Sequence, residues 1–406
     1  MKLDIPIVEK PDHVGADKVV EFDLFDFDAE DGDCQRRIAD ALQAAGVPDV
    51  FWTPCNTGHW VAARGEALKD VLTTPDLFSS SQFMVVKAMN PEPPLVPLML
   101  DPPAHALYRA LLAKAFVPEA VEKLGEKART LAVELIEGFL PAGECEFIGD
   151  FATQLPVAVF MSLVDWPDED RAHLLRIAEK VVRPATVEDA MAGRELVDAY
   201  ARNVVETRRC ALGDDLISDL LRARIEGAPL SDDVLNGMVK LLLTAGLDTV
   251  ASSMGFYALH LARNAPLRAH LVGKPADIPR AVDELLRRYP IGVLGRIVTR
   301  DCEFHGAQLK AGDTMLAPTM SFGLDDRQFD RPTEIDLGRS RKAHLSFGAG
   351  PHRCVGALLA TIELRVFLEE WLRRIPEFQL KPGEPAQALS GYVIGIPRLR
   401  LVWPVG

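Results

Sequence analysis

One long apolar segment constrains the fold more than any other feature of this sequence. It spans residues 231–264 and ends just before Pro266, which prevents a helix from continuing. Ser231 is a favourable N-cap residue, and a helix of this length is roughly 50 Å long at 1.5 Å per residue. Because residues 241–250 are apolar except for two threonines and one aspartate, the middle of the helix is expected to be buried nearly all round. We therefore predict a domain that one central helix crosses completely.

The remaining sequence predicts helices over most of its length and only a few strands. Strand-like segments occupy residues 50–63, 296–317 and 378–403. No internal repeat, low-complexity tract or polar linker interrupts the 406 residues. We therefore expect a single domain over residues 1–406, mainly α-helical with small β-sheets.

A proline-rich segment precedes a short helix in the first third of the chain. Residues 80–103 contain six prolines, which remove backbone donors and predict an irregular loop. Residues 104–116 follow with a helical pattern, and Pro118 comes just after its end. Two residues of this helix, His105 and Arg109, are four positions apart and therefore share a face.

Charge, cysteine spacing and hydropathy exclude several kinds of protein. The net charge of −14 repels phosphate backbones, so nucleic acid is not an expected ligand. The six cysteines form no CxxC pair and lack histidines at zinc spacing, so neither a disulfide framework nor a zinc site is expected. No signal peptide pattern and no run of about 18 uncharged apolar residues occurs. We expect a cytoplasmic protein without membrane attachment.

The most informative stretch is residues 347–356, which read FGAGPHRCVG and precede a helical pattern over residues 357–371. A thiolate binds iron only if it is exposed to the metal, approached by backbone donors and protected from oxidation. The glycines permit turns that point N–H groups at the sulfur of Cys354, and the following helix adds the positive end of its dipole. A lone cysteine in such a turn is most often a small buried apolar residue. The whole pattern therefore has to decide between the two interpretations.

Residues 347–356 match the haem-binding signature FGxGxHxCxG of the cytochrome P450 family at every fixed position. The chain resembles this family over nearly its whole length and is most similar to the bacterial camphor hydroxylase, as in LLLTAGLDTV and ELLRRYP. The resemblance implies the triangular P450 fold, with the long helix over a haem b whose iron is bound by Cys354. The cofactor-binding residues that it implies are His105, Arg109, Arg296, Phe347, Gly348, His352, Cys354 and Gly356.

Four of these residues are assigned by the resemblance to the haem propionates, namely His105, Arg109, Arg296 and His352. Arginine suits this role because its planar guanidinium binds a carboxylate through two parallel hydrogen bonds. One nearby position departs from the pattern. Leu294 stands where the nearest relatives carry an aspartate beside a propionate, so haem access or redox potential is expected to differ.

Glu284 and Arg287 match the ExxR motif of the family. In isolation, such a pair at i and i+3 is usually a solvated salt bridge worth a few tenths of a kcal/mol. Its position well ahead of Cys354 instead resembles the structural ion-pair network behind the haem. In the family an arginine from the intervening segment closes this network, and Arg339 suits that position.

Residues 245–249, AGLDT, match the oxygen-activation motif of the family on the long helix. Splitting dioxygen consumes two protons, so the distal side of the haem needs a hydroxyl group and an acid connected to solvent. The resemblance gives these roles to Thr249 and Asp248, while Gly246 would leave space for dioxygen. In isolation, Asp248 would more often be the partner of a buried base and Thr249 a hydroxyl bonded to a backbone carbonyl. The cysteine loop and the ExxR pair favour the functional interpretation.

The similarity to camphor hydroxylase indicates an altered substrate pocket. The tyrosine that binds the camphor ketone aligns with Pro93, so camphor is not the expected substrate. We hypothesise a terpenoid or norisoprenoid of the ionone type, because the predicted wall is mostly apolar. Tyr392 is the one candidate for a new hydrogen bond. The predicted wall residues are Phe83, Met84, Leu98, Leu241, Thr244, Ala245, Ile291, Val293, Tyr392 and Val393.

The implied reaction is hydroxylation of an unactivated C–H bond with dioxygen and two electrons. No flavin or nicotinamide domain is left over, so a [2Fe-2S] ferredoxin with its NAD(P)H-dependent reductase is the expected electron source. The predicted basic patch for an acidic ferredoxin comprises Arg109, Lys114, Lys342, His344 and Arg353. Two alternatives are a peroxide-driven haem-thiolate enzyme, which would not need the Asp248-Thr249 pair, and a non-enzymatic haem-thiolate protein that senses or sequesters an apolar ligand.

Overall fold

Helices form most of the protein. The computed structural model describes residues 5–166, 168–182, 187–340 and 343–405, with side chains described except at positions 168, 178–182, 187–191 and 247. The α-helices within these ranges are α1 (Cys34–Leu42), α2 (Gly65–Thr73), α3 (Ala104–Ala113), α4 (Pro118–Phe139), α5 (Gln154–Leu163), α6 (Arg171–Val182), α7 (Val187–Cys210), α8 (Leu216–Arg222), α9 (Asp232–Leu247), α10 (Thr249–Arg263), α11 (Ala265–Gly273), α12 (Ile278–Arg288), α13 (Met320–Gly323) and α14 (Ala357–Arg374).

The strands are short and form small sheets. Those in the described ranges are β1 (Val50–Thr53), β2 (His59–Ala62), β3 (Phe78–Ser79), β4 (Glu144–Glu146), β5 (Arg224–Ile225), β6 (Ala228–Pro229), β7 (Val293–Val298), β8 (Cys302–Phe304), β9 (Ala307–Leu309), β10 (Thr314–Pro318), β11 (Gln379–Leu380) and β12 (Arg400–Val402). The largest sheet has the order β1-β2-β10-β7-β3, with Met315 of β10 opposite Arg296 of β7. The expected fold class, mainly α with small β-sheets, is confirmed.

The predicted central helix is interrupted. Ser231 caps it as expected, since its hydroxyl accepts the Val234 N–H at 3.4 Å. The helix then breaks at Asp248, whose φ and ψ of −124° and −34° separate α9 from α10. Next to the break, the Thr249 hydroxyl donates to the Ala245 carbonyl at 3.0 Å. A hydroxyl bonded to the preceding turn commonly bends a helix, so the expectation of one continuous helix is corrected at this point.

The central helix pair is packed inside the protein. Met254, Phe256 and Tyr257 of α10 have no exposed surface and belong to the largest hydrophobic core. Trp371 of α14 is also fully buried in this core, with its ring 5.0 Å from that of Phe147 in an edge-to-face contact. Aromatic side chains contribute strongly here because each buries about 150–250 Å². The core therefore fixes both the helix of Asp248 and Thr249 and the helix that follows Cys354.

By length and composition alone, Asp232–Arg263 is apolar enough to cross a membrane. Within its most apolar window, 59% of the segment is buried inside the protein. Core helices of soluble proteins meet the same criterion. Its packing in the hydrophobic core accounts for the apolar composition.

The proline-rich segment 80–103 forms no α-helix or strand, as predicted. Its regular structure is a single 3-10 turn at Lys87–Met89. Helix α3 begins at Ala104 and gives way to a 3-10 turn at Lys114–Phe116 before Pro118 starts α4. Proline at the first position of a helix is favourable because that N–H has no intrahelical partner.

Candidate active site

The cysteine loop is a tight turn closed by backbone hydrogen bonds. The Cys354 N–H donates to the Phe347 carbonyl at 2.8 Å. Gly348 and Gly350 have φ values of +69° and +65°, in the left-handed region. A Cβ atom at Gly350 would also clash with the carbonyl oxygen of Leu72. These two positions therefore require glycine.

The Cys354 thiol lies directly before the N-terminus of α14. Burial raises its pKa, against the opposite effects of the Gly356 N–H and the guanidinium groups of Arg109 and Arg353. The side chain is nevertheless accessible, so it faces an open space that protein atoms surround. Gly356 does not adopt the special turn expected from the sequence, since its φ is −83°. Its contribution is the N–H group directed at the sulfur.

Basic side chains converge beside the loop. The rings of His105 and His352 lie 4.1 Å apart between centroids. Arg109 Nη2 donates to the Arg353 carbonyl at 2.5 Å. Arg296 is only 3% exposed, and its Nη1 donates to the adjacent Gly295 carbonyl at 2.7 Å. The four residues predicted to hold the propionates are therefore neighbours in the structure.

The electrostatics of this cluster fit a ligand with carboxylate groups. Burial lowers the pKa of Arg296 to about 10, and burial together with the nearby cations lowers that of His352 to about 3. Among the described residues, His352 Nε2 is buried without a hydrogen-bond partner. Buried cations and an unsatisfied ring nitrogen are costly unless an anion or acceptor joins them. Haem propionates would supply such acceptors at this place.

Asp101 is a member of this cluster that sequence reasoning missed. Its carboxylate accepts the Ser79 hydroxyl at 2.5 Å and the Ser80 N–H at 2.7 Å. Its negative charge partly offsets the burial that lowers the pKa values of Arg296 and His105. The only sequence signal was its place at the junction between the proline-rich loop and α3. Asp101 thus connects the loop electrostatically to the basic cluster.

The ion-pair network forms a compact buried unit. Arg287 donates through Nε and Nη2 to the two Glu284 oxygens at 2.9 and 2.8 Å. Arg339 Nε donates to Glu284 Oε1 at 3.0 Å. The remaining donors of Arg287 bind the Gly323, Pro332 and Glu334 carbonyls at 2.6–2.8 Å. This network therefore ties α12 to the segment that leads to the cysteine loop.

Asp248 and Thr249 lie at the break of the central helix. Asp248 is 7% exposed, and its Oδ1 accepts the Ser252 hydroxyl at 3.2 Å. The Thr249 hydroxyl donates to Ala245, which leaves its oxygen lone pairs able to accept a further hydrogen bond. A buried acid and an adjacent hydroxyl therefore lie side by side at the helix break, close to the exposed Ala245.

Gly246 lies against α5. A Cβ atom there would lie 3.1 Å from the ring of Phe160. The missing side chain therefore makes room for α5, because the two helices approach closely at this point. Ala245 is the exposed residue of this turn. The space for dioxygen that the sequence suggests at Gly246 stays a prediction.

Part of the predicted pocket wall borders an open space. Leu241 and Thr244 are partly exposed and Ala245 is exposed, although α9 lies within the protein. Positions 241, 244 and 245 share one face of the helix. The predicted loop residues Phe83, Met84 and Leu98 are also partly exposed, as is Pro93.

The other predicted wall residues differ in their surroundings. Ile291 and Val293 are 8% and 2% exposed and pack in the largest core, and their place in the pocket wall stays a prediction. Val393 is 41% exposed. The Tyr392 hydroxyl accepts the Val86 N–H at 3.3 Å and keeps its own proton to donate. Burial raises the pKa of Tyr392 to about 12, so this proton remains bound at neutral pH.

The predicted basic patch is smaller than expected. Lys114 and Arg353 are exposed, and Arg109 is partly exposed. His344 is partly exposed, and burial lowers its pKa, which disfavours its charged form. Lys342 lies outside the described residues. Leu107 of α3 and Leu358 of α14 lie on the two helices that flank the cysteine loop, and they are 47% and 42% exposed.

Comparisons with known proteins agree with this geometry. The sequence profile described as Cytochrome P450 matches residues 278–398. The chain is 34% identical over 402 residues to "Probable cytochrome P450 127A1" of Sinorhizobium fredii, covering 97% of this chain and 96% of that protein. This chain belongs to the cytochrome P450 family. Among solved P450 structures, CYP101J2 is 38% identical with a TM-score of 0.88 and CYP101C1 is 33% identical with 0.87, each covering 98% of this chain and 100% of its own.

Membership of the P450 family has direct chemical consequences. The protein is a monooxygenase that uses haem b, and its electrons come from NAD(P)H through redox partners. The solved neighbours are also P450s, as the sequence motifs indicated. The expected family, enzyme class and cofactor are thus confirmed.

Proposed function

We propose that this P450 hydroxylates a small terpenoid or norisoprenoid with electrons from a [2Fe-2S] ferredoxin, and that the whole chain acts as one cytoplasmic catalytic domain. The net reaction converts R–H, dioxygen, two electrons and two protons into R–OH and water. The observation that carries the proposal is the accessible Cys354 thiol enclosed by protein beside a basic cluster. When bound there, haem supplies the activation of dioxygen.

Cys354 is the proposed iron ligand, and its surroundings favour the thiolate. The Gly356 N–H donates toward the sulfur, and Arg109 and Arg353 add positive charge. His105, Arg109, Arg296 and His352 are the proposed partners of the propionates. The buried Arg296 guanidinium suits this role because a carboxylate would compensate its charge inside the protein.

Asp248 and Thr249 are the proposed proton-delivery pair. Asp248 is buried, with 7% of its area exposed, and its carboxylate is the proposed group that passes a proton on toward Thr249. The Thr249 hydroxyl donates its own proton to the Ala245 carbonyl, so Oγ1 is available to accept a hydrogen bond from a donor in the substrate pocket. General acids placed in this manner typically contribute about 10²–10⁴-fold to rate.

The proposed substrate class is supported by the pocket and by the relatives. The face of Leu241, Thr244 and Ala245 is mostly apolar, as are the loop residues Phe83 and Met84. The sequence motifs of this chain resemble those of the bacterial camphor hydroxylase. Pro93 has no hydroxyl group to bind a ketone, whereas the Tyr392 hydroxyl retains a donor. We therefore favour an apolar cyclic terpenoid with at most one polar group.

A binding and turnover assay tests the substrate class. Camphor, α-ionone, β-ionone and a bicyclic terpene alcohol are added to the ferric holoenzyme, with lauric acid as a control from another chemical class. We expect an ionone to give the largest low-to-high-spin change and a hydroxylated product in a reconstituted ferredoxin system. The assignment would be refuted if only lauric acid changed the spin state, or if none of the terpenoids did.

The proposed ferredoxin surface lies beside the cysteine loop. Arg353 and Lys114 supply positive charge, and the exposed Leu107 and Leu358 supply apolar contact area. Charges at such a surface mainly raise the association rate with an acidic partner. We expect Lys114→Glu to slow reduction by a bacterial [2Fe-2S] ferredoxin about tenfold at low salt. The matched control is Lys274→Glu after α11; equal rates for both variants would exclude this surface.

A further inference from the structure

The turn formed by residues 83–90 is organised by one side chain, that of Asn90. Its Oδ1 accepts the N–H groups of Phe83 and Met84, both at 3.0 Å. Its Nδ2 donates to the carbonyls of Met84, Val86 and Lys87 at 2.8, 3.4 and 3.3 Å. A single amide thereby contacts five backbone groups of the turn.

Backbone hydrogen bonds alone hold this turn weakly. Among the hydrogen bonds of the described residues, two internal backbone bonds occur in residues 83–90, from the Met89 N–H to Val86 and from the Asn90 N–H to Lys87. The prolines that follow cannot donate further bonds. The Asn90 side chain therefore supplies most of the internal hydrogen bonds of the turn.

The turn is attached to the sheet beside the basic cluster. The Gly295 N–H donates to the Phe83 carbonyl at 2.6 Å. A Cβ atom at Gly295 would lie 2.9 Å from the Phe83 carbonyl carbon, so the chains approach as closely as glycine allows. The next residue along β7 is Arg296. Phe83 and Met84 are thus held next to the strand that carries a proposed propionate partner.

Two further contacts hold the outside of the turn. The Val86 N–H donates to the Tyr392 hydroxyl at 3.3 Å. Arg194 of α7 donates through Nη2 to the Met89 carbonyl at 2.5 Å. These contacts reach the turn from a distant segment and from another helix. Asn90 connects the backbone groups between them.

We propose that Asn90 is a positioning residue of the substrate pocket. Its amide holds Phe83 and Met84 in one arrangement, and this arrangement determines which molecules fit over the haem and which carbon faces it. The inference rests on the proposed function only in taking Phe83 and Met84 as pocket wall. Preorganised groups need not be ordered during binding. Loss of the amide is therefore expected to weaken the binding of ligands that reach the pocket wall.

The test uses iron-binding probes of two sizes on the holoenzyme. Imidazole is too small to reach beyond the haem surroundings, whereas 4-phenylimidazole extends toward the pocket wall. We expect Asn90→Ala to lower the affinity for 4-phenylimidazole about tenfold and that for imidazole less than twofold. Both affinities are measured by titrations that follow the Soret band. The matched control is Asn264→Ala, which removes the side-chain cap of α11, where Asn264 Oδ1 accepts the Leu267 N–H at 3.0 Å. It is expected to change neither affinity.

A second variant guards against a folding defect. Asn90→Asp keeps an oxygen for the Phe83 and Met84 N–H groups but loses the donors to three carbonyls. We expect Asn90→Asp to bind 4-phenylimidazole about threefold more weakly than the wild type does. If Asn90→Ala takes up no haem, the result with Asn90→Asp decides the test. Wild-type affinity in the variant that does take up haem, or equal losses for both probes, would overturn the proposal.

The same data separate this inference from the proposed substrate class. A selective loss of 4-phenylimidazole together with no spin change for any terpenoid would refute the substrate class and leave the positioning role of Asn90 intact. Where an ionone is a substrate, Asn90→Ala is also expected to change the ratio of hydroxylated products. An unchanged product ratio would count against control of the oxidised carbon.

Discussion

The substitution Glu284→Gln tests the ion-pair network most sharply, because it removes a charge while almost keeping the shape of the side chain. Glu284 is 4% exposed and lies between the guanidinium groups of Arg287 and Arg339, whose side chains are 0% and 9% exposed. Its carboxylate accepts four hydrogen bonds, two from Arg287 and one each from Arg339 and the Asp336 N–H. The glutamine amide has only one acceptor oxygen.

The expected cost follows from these contacts. Oε1 accepts three of the four bonds, so the best placement of the amide keeps that oxygen and turns its NH₂ toward Arg287 Nε. This loses at least one charge-assisted bond, worth about 1.5–3 kcal/mol, and leaves two buried cations without a counter-charge. Removing one member of a buried ion pair generally costs about 3–5 kcal/mol, and we expect a free energy of unfolding lowered by that amount.

Glu334→Gln is the matched control in the same part of the chain. Its carboxylate binds Arg331 at 2.8 Å, but both side chains are more than half exposed. An exposed pair contributes about 0–1 kcal/mol. Urea unfolding is followed by circular dichroism, and haem retention by the Soret band. Equal midpoints for Glu284→Gln and Glu334→Gln would refute the structural importance assigned to the network.

Three further outcomes are expected. Asp248→Asn should lower product formation about tenfold or more without changing the reduced carbon-monoxide spectrum, and unchanged turnover would remove Asp248 from proton delivery. Gly350→Ala should reduce haem retention far more than Gly227→Ala, because both have positive φ but only Gly350 has a backbone carbonyl in the way; equal effects would contradict this. His59→Phe should reduce the loss of stability on acidification, measured by urea midpoints at pH 7 and pH 5. Burial lowers the pKa of His59 to about 3, below the unfolded value of about 6.5, so unfolding takes up a proton between these values and stability decreases as the pH falls below about 6.5; the same pH dependence in the variant would oppose this.

Short motifs carried the predictable part of the site. The Cys354 loop and the Glu284–Arg287 pair are local in sequence, so residue spacing already determines much of their geometry. The role of Arg339 was also predictable, because it lies in the segment between α12 and the cysteine loop. Its contact with Glu284 then joins two parts of the chain that are 55 positions apart.

Features that depend on distant packing were not predictable. The contact of Gly246 with Phe160 arises from a neighbour of the central helix, and no residue within that helix indicates it. Burial likewise disfavours the charged form of His344, which the sequence alone does not indicate. Asn90 carries no motif, and its five hydrogen bonds become apparent only when the turn is folded.

Ligation of the haem iron by Cys354 is the central claim, and the reduced carbon-monoxide spectrum tests it most directly. The wild-type protein and Cys354→Ala are compared after reconstitution with haem, with Cys210→Ala as a control at another exposed cysteine. We predict a thiolate-type band for the wild type and for Cys210→Ala, and its loss in Cys354→Ala. A thiolate-type band that persists in Cys354→Ala would contradict the account.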